Sequence, residues 1–143
     1  MTTHILYLCT GNSCRSQMAE GWTRHLGGER FSAESAGIEA HGQNPRAIAV
    51  MQEAGVDISG QESTIVSDEM LQRADVVVTV CGHADEQCPV LPPGVVKVHW
   101  PLTDPAKATG SEEEIMAEFR ATCKEVRRRV NSLLTPLAEG GDL

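Results

Sequence analysis

The chain has 143 residues, with 20 acidic against 12 basic side chains and a formal net charge of −8. That length suits a single domain, 1–143, with a real core, and the negative balance argues against a nucleic-acid partner, whose phosphates call for a basic face. No apolar run approaches the ~20 residues that cross a bilayer and no export pattern precedes the first strand, so a cytoplasmic protein without membrane contact is expected.

The first element is an apolar run, His4-Ile5-Leu6-Tyr7-Leu8, that reads as a buried strand. Next come Cys9-Thr10-Gly11-Asn12-Ser13-Cys14-Arg15-Ser16, and a helical stretch over 16–26. A cysteine, five residues, then Arg and Ser between strand and helix form a device for holding a tetrahedral oxyanion against a thiolate. The small or polar residues between Cys9 and Arg15 let the loop curl and aim its N–H groups inward. With the helix N-terminus they make an anion cradle from Thr10, Gly11, Asn12, Ser13, Cys14, Arg15 and Ser16. Arg15 adds a planar fork for two oxygens. The same positive field favours an anionic sulfur at Cys9, and Ser16 is placed to hydrogen-bond it. The C-x5-R spacing alone is a weak signal; the strand–loop–helix setting gives it weight.

Further strands are expected over 31–35, 75–80 and 95–100. The β-branched run Val76-Val77-Val78-Thr79-Val80 suits a central strand covered on both faces. Asn44-Pro45 is a cap and first-turn proline, opening a helix that stops at Gly55. A short helix is expected over 67–74. Ser111 and Glu114 form a capping box for the last helix. Its apolar residues Ile115, Phe119, Cys123, Val126, Val130, Leu133 and Leu137 make one buried face, with Pro136 as its expected end and a frayed Gly140-Gly141 tail. Strands alternating with helices predict an α/β fold: a four-stranded parallel sheet flanked by helices. In such a sheet ligands sit at the carboxyl ends of the strands, where Cys9, Cys81 and the Asp104 region all fall.

Five cysteines in a reducing compartment suit catalysis or metal binding better than structural disulfides. Cys81 ends the third strand and Cys88 lies seven residues on. In a regular helix the pair would stand about 10 Å apart along the axis, whereas a disulfide needs Cα atoms roughly 4.4–6.8 Å apart. Bridging them requires the segment to unwind, and Gly82, Pro89, Pro92 and Pro93 suit a piece that gives up helix readily. The pair reads as a redox segment; inert thiols, or zinc held by Cys81, His83 and Cys88 with Cys9 or Cys14, are the alternatives. Cys14 reads as a filler, Cys123 as a core residue, and the five histidines as surface or core residues without ligand spacing. Asp104-Pro105, poised near the anion site, suits a general acid for an oxygen leaving group.

These residues resemble the thioredoxin-coupled arsenate reductases, which share the low-molecular-weight protein tyrosine phosphatase fold. The resemblance runs through Leu8 to Gly21, then Ser35-Ala36-Gly37-Ile38-Glu39-Ala40-His41-Gly42 with Asn44-Pro45. It continues in Val78-Thr79-Val80-Cys81-Gly82, Cys88-Pro89, His99-Trp100 and Asp104-Pro105. It implies reduction of arsenate to arsenite, in arsenic detoxification, by a relay over Cys9, Cys81 and Cys88. Cys9 would attack arsenate, with Arg15 on the oxyanion and Asp104 assisting the departing oxygen. Cys81 would resolve the adduct as a Cys9–Cys81 disulfide, and Cys88 would then free Cys9. It further implies a monomer with no bound cofactor, external reduction of Cys81–Cys88 by thioredoxin, competition by phosphate or sulfate, and a weak side phosphatase activity. Some members bind potassium through groups that map to Asn12, Glu20, Ser35 and a carboxylate; the last position is Thr64 here, and no metal is assigned. A tyrosine phosphatase is the nearest rival, but Ala106-Lys107-Ala108 stand where phosphatases carry tyrosines. A thiol-based metal or redox sensor is the second rival, and no basic DNA-reading patch accompanies it.

Overall fold

The computed structural model describes residues 2–139; the Gly140-Gly141 tail lies outside them. The apolar run at the start is central because it is apolar on both faces. It forms β1 (Thr3–Cys9), in which Ile5, Leu6, Tyr7 and Leu8 are fully buried. On either side lie β2 (Phe31–Gly37) and β3 (Val76–Thr79), and β4 (Val96–His99) forms an edge beside β3. All pairings are parallel, in the order β2-β1-β3-β4. The four buried residues of β3 are the β-branched run expected of an inner strand. Edge strand β4 is largely exposed and carries Lys97, a charge that blunts open pairing.

Helix α1 (Arg15–Gly27) packs on β1, β2 and the long α5 (Glu112–Ala138). Helix α2 (Pro45–Glu53) packs on α1 and α5, and starts where Asn44 accepts the N–H groups of Arg46 and Ala47 ahead of Pro45. Helix α3 (Asp68–Arg73) is capped by Ser67 and rests on β1. Helix α4 (Gly82–Gln87) leaves the end of β3 and touches β1 and β3. In α5 the Ser111–Glu114 capping box is complete, and Phe119, Cys123, Val126, Val130, Leu133 and Leu134 form its buried face.

Pro136 does not end this helix, contrary to the sequence expectation: α5 runs on to Ala138. A proline removes one N–H and crowds one carbonyl. Here Leu133, Leu134 and Leu137 pack on the core and hold the last turn in place.

The register places the chemistry. Cys9 lies opposite Gly37, Leu8 opposite Thr79, and Thr79 opposite His99. The loop after β1, the start of α4 after β3, and the loop after β4 therefore converge at one edge of the sheet.

Candidate active site

The loop 10–14 has its carbonyls fixed from outside. Ile38 N–H donates to Cys9 O at 3.1 Å, Glu39 N–H to Thr10 O at 2.8 Å, His41 N–H to Gly11 O at 2.8 Å and Asn44 N–H to Ser13 O at 3.1 Å. Gln17 Nε2 donates to Asn12 O at 3.1 Å, and Met18 N–H to Cys14 O at 2.9 Å. In a trans peptide the N–H points opposite to the C=O, and the chain has no cis bond among the described residues. Holding every carbonyl from 9 to 14 outward therefore turns the amides of residues 10–15 toward the loop's interior. Among the described residues those of Gly11, Ser13 and Cys14 have no hydrogen-bond partner. Asn12 makes the reversal possible by adopting φ 49°, a left-handed conformation that asparagine tolerates.

The Cys9 sulfur sits within this ring. Asn12 N–H donates to it at 3.1 Å and Ser16 Oγ lies 2.8 Å away. Asn12 Nδ2 donates to Ser16 Oγ at 2.9 Å, leaving the Ser16 proton free for the sulfur. The N-terminus of α1, which opens at Arg15, lies against the same loop. Burial pushes the Cys14 thiol up to about 11, with small further effects from Ser13, Asp104, Cys9 and Arg15. Burial also pushes Cys88 and Cys123 upward. Cys14 fills space at the start of α1, and Cys123 lies in the core with its Sγ 3.5 Å from Met51 Sδ.

Arg15 is 8% exposed, and two of the three nitrogens of its fork face partners. Nη1 donates to Leu102 O at 3.0 Å and Nη2 stands 3.6 Å from Asp104 Oδ2. Nε is buried with no hydrogen-bond partner among the described residues. A buried guanidinium N–H without an acceptor is costly, and an oxyanion in the cradle is the partner such a donor calls for. Asp104 also caps the 3-10 turn Pro105–Lys107 by accepting Ala106 N–H at 3.0 Å. Thus the structure brings Asp104 to the rim of the loop through Arg15.

Cys81 enters from the next strand. Its sulfur caps α4, accepting Ala84 N–H at 3.3 Å, and lies 3.3 Å from Thr10 Oγ1. The Thr10 hydroxyl therefore links the Cys9 loop to the second cysteine. Cys88 sits at the far end of the same helix, about 10 Å along the axis by helix geometry, and all five cysteines are free. Asp85 ties α4 to the sheet through Lys97 at 2.8 Å and Thr79 Oγ1 at 3.1 Å. Among the described residues no group of three or more His, Cys, Asp or Glu side chains is arranged to hold a metal.

The groups that map to a potassium site are committed elsewhere. Glu20 accepts Ser35 Oγ at 2.6 Å through one carboxylate oxygen and pairs with Arg24 at 2.8 Å through the other. Burial pushes Glu20 upward, which Ser35 and Arg24 partly offset. Asn12 Oδ1 accepts Thr64 N–H at 2.8 Å. A carboxylate already bearing a guanidinium does not fit a second cation.

Three contributors have roles that the sequence reading did not assign: the Leu102 carbonyl, the clamping segment 38–44, and His83. His83 Nδ1 lies 3.1 Å from Thr10 Oγ1. Its position two residues beyond a cysteine at a strand's carboxyl end was the signal available for it.

The model of the low molecular weight phosphotyrosine protein phosphatase family matches residues 4–142. The arsenate reductase of Halalkalibacterium halodurans is 52% identical over 128 residues, which are 90% of this chain and 92% of that protein. A solved arsenate reductase in its phosphate-binding state superposes with a TM-score of 0.76 at 34% identity, over 92% of this chain and 96% of that one. The thioredoxin-dependent arsenate reductase of Corynebacterium glutamicum gives a TM-score of 0.67 at 26% identity; 91% of this chain covers 62% of that longer one.

Proposed function

The chain belongs to the low molecular weight phosphotyrosine protein phosphatase family, and from that premise we propose that it is an arsenate reductase, converting arsenate to arsenite in arsenic detoxification. The observation that carries this reading is the pairing of two devices. A buried cysteine loop with inward-facing amides meets a second cysteine across one hydroxyl, Thr10, and a third cysteine closes the same short helix. A phosphatase needs only the first device. Relatives bearing the arsenate reductase name over nearly the whole length point the same way.

In the proposed relay the Cys9 thiolate attacks the arsenic of arsenate, held by the amides of residues 10–16 and by Arg15. Asp104 supplies a proton so that one oxygen leaves as water. Cys81 then attacks the Cys9 sulfur. The S–As bond breaks, its electron pair stays on arsenic, and arsenite departs from a Cys9–Cys81 disulfide. Two thiols have supplied the two electrons that take arsenic from the pentavalent to the trivalent state. Cys88 next attacks Cys81 and returns Cys9 to thiolate. Bringing Cys88 to Cys81 requires α4 to unwind, which carries the new disulfide outward. Thioredoxin, in the reducing cytosol, would reduce that exposed Cys81–Cys88 bond, and no bound cofactor enters the cycle.

The same cradle suits phosphate and sulfate as competitors, and a phosphate monoester as a poor side substrate. The test is a coupled assay, arsenate-dependent NADPH oxidation with thioredoxin and thioredoxin reductase, run beside hydrolysis of a phosphotyrosine analogue. Robust arsenate turnover with weak hydrolysis is expected. Strong hydrolysis without arsenate turnover would make the protein a phosphatase instead.

A further inference from the structure

We propose that His83, acting through the Thr10 hydroxyl, removes the thiol proton of Cys81 before that sulfur attacks Cys9. It is a positioning residue, for it touches no reacting atom, and its role rests on the thiol relay proposed above. The geometry is a three-member chain: Cys81 Sγ to Thr10 Oγ1 is 3.3 Å, and Thr10 Oγ1 to His83 Nδ1 is 3.1 Å. A hydroxyl carries one proton and two lone pairs, so it can donate to only one of these neighbours at a time. When the ring is neutral with its proton on Nε2, Thr10 donates to Nδ1 and accepts the Cys81 S–H. When the proton has moved, Nδ1–H donates to Thr10 and Thr10 donates to the Cys81 thiolate. The two arrangements differ by one proton passed along the chain: Cys81 loses it, the imidazole gains it, and the hydroxyl exchanges one for another.

Other features of the site suit this assignment. Ala84 N–H already points at the Cys81 sulfur from 3.3 Å and steadies the anion that results. The neighbouring carboxylates are engaged elsewhere, Asp85 with Lys97 and Thr79, and Asp104 with Arg15 and Ala106 N–H. Imidazole is the side chain suited to accept a proton near neutrality. Among the described residues, His83 is the titratable side chain hydrogen-bonded to the hydroxyl shared with Cys81.

The test compares the full-length wild type with His83→Asn and His83→Ala. Asparagine keeps an acceptor near the Nδ1 position but takes no proton; alanine leaves a gap that free imidazole can enter. Three quantities are read: arsenate protection of Cys9 from alkylation, single-turnover arsenite release, and the mass-mapped alkylation rate of Cys81 without arsenate. Cys9 protection should be unchanged in both variants. Arsenite release and Cys81 alkylation should fall about 10- to 100-fold in both, the low end of what a positioned base contributes. Added imidazole should restore the alanine variant. Wild-type rates in His83→Asn would overturn the proposal by reducing His83 to a hydrogen-bond acceptor. Faster Cys81 alkylation in either variant would overturn it by showing that the ring merely covers the sulfur. Slowed Cys81 alkylation in the variants, with no arsenite released even by wild type, would uphold the proton path and refute the relay. Arsenite release equal in all three proteins would uphold the relay and refute the path.

Discussion

Gly37→Ala should damage the active loop without touching one catalytic side chain. A Cβ at Gly37 would lie 2.2 Å from Glu39 O, 2.8 Å from Asn12 N and 2.8 Å from Thr10 O. All three are backbone atoms, so no rotamer change relieves the contact, and reaching an ordinary 3.4 Å separation means moving the tightest by over an ångström. The two segments that must part are those joined by Ile38 N–H to Cys9 O and Glu39 N–H to Thr10 O. Overpacking costs about 1–3 kcal/mol and two weakened amide bonds about 1 kcal/mol each, giving roughly 3–5 kcal/mol. At roughly 3 °C per kcal/mol for a chain of this size, Tm should drop by about 9–15 °C. Separating the strands also turns the loop amides off their target, and misplacement of this order should lower arsenate kcat/KM about 100-fold. Gly60→Ala is the control, because its Cβ would meet nothing within 4 Å, and surface changes of that kind stay within about 0.5 kcal/mol. Calorimetry and the coupled arsenate assay on both variants decide the matter. A Gly37→Ala protein matching the Gly60→Ala control in Tm and kcat/KM would refute the argument that segment 38–44 sets the loop amides.

Other expectations test single groups. Arg15→Lys should fold but lose arsenate turnover by orders of magnitude, because one ammonium cannot serve Leu102 O, Asp104 and an oxyanion together; steady-state kinetics would detect near-wild-type efficiency if this is wrong. Asp104→Asn should leave phosphate inhibition nearly unchanged while slowing the chemical step, a split that kcat against the inhibition constant reads directly. Among the thiols, mass-mapped alkylation near pH 7 should label Cys9 first and arsenate should protect it. Cys14, held up to about 11 by burial, should label appreciably only in strongly alkaline solution; fast neutral labelling of Cys14 would contradict its assignment as a filler.

Local chemistry made much of this fold legible. The β-branched run at 76–80 and the apolar run at 4–8 are inner strands because both faces are buried. Asn44-Pro45 and Ser111 with Glu114 declare helix starts because a cap acts within four residues. The cysteine loop was legible as a motif, but its mechanism was not. Its amides point inward because residues 38–44 and Gln17 hold its carbonyls, and the segment 38–44 lies about thirty residues away in sequence. The Leu102 carbonyl that orients Arg15 is a backbone atom, which any residue there could supply. His83 stands out in the sequence only as a possible zinc ligand beside Cys81 and Cys88, since its meeting with Thr10 arises from the pairing of β1 with β3. Pro136 misled because its cost is local while the packing of Leu133, Leu134 and Leu137 that outweighs it is not.

The thiol relay is tested most directly by mapping the disulfide trapped in Cys88→Ser after the reduced protein meets arsenate without thioredoxin. The two thiols left in the relay hold two electrons, so about one arsenite per chain should be released. The protein should then stall with Cys9 and Cys81 bridged, while Cys81→Ser should release little arsenite and trap no such bond. Sustained thioredoxin-driven turnover in Cys88→Ser, or arsenite release from Cys81→Ser at the wild-type level, would contradict the order Cys9, Cys81, Cys88.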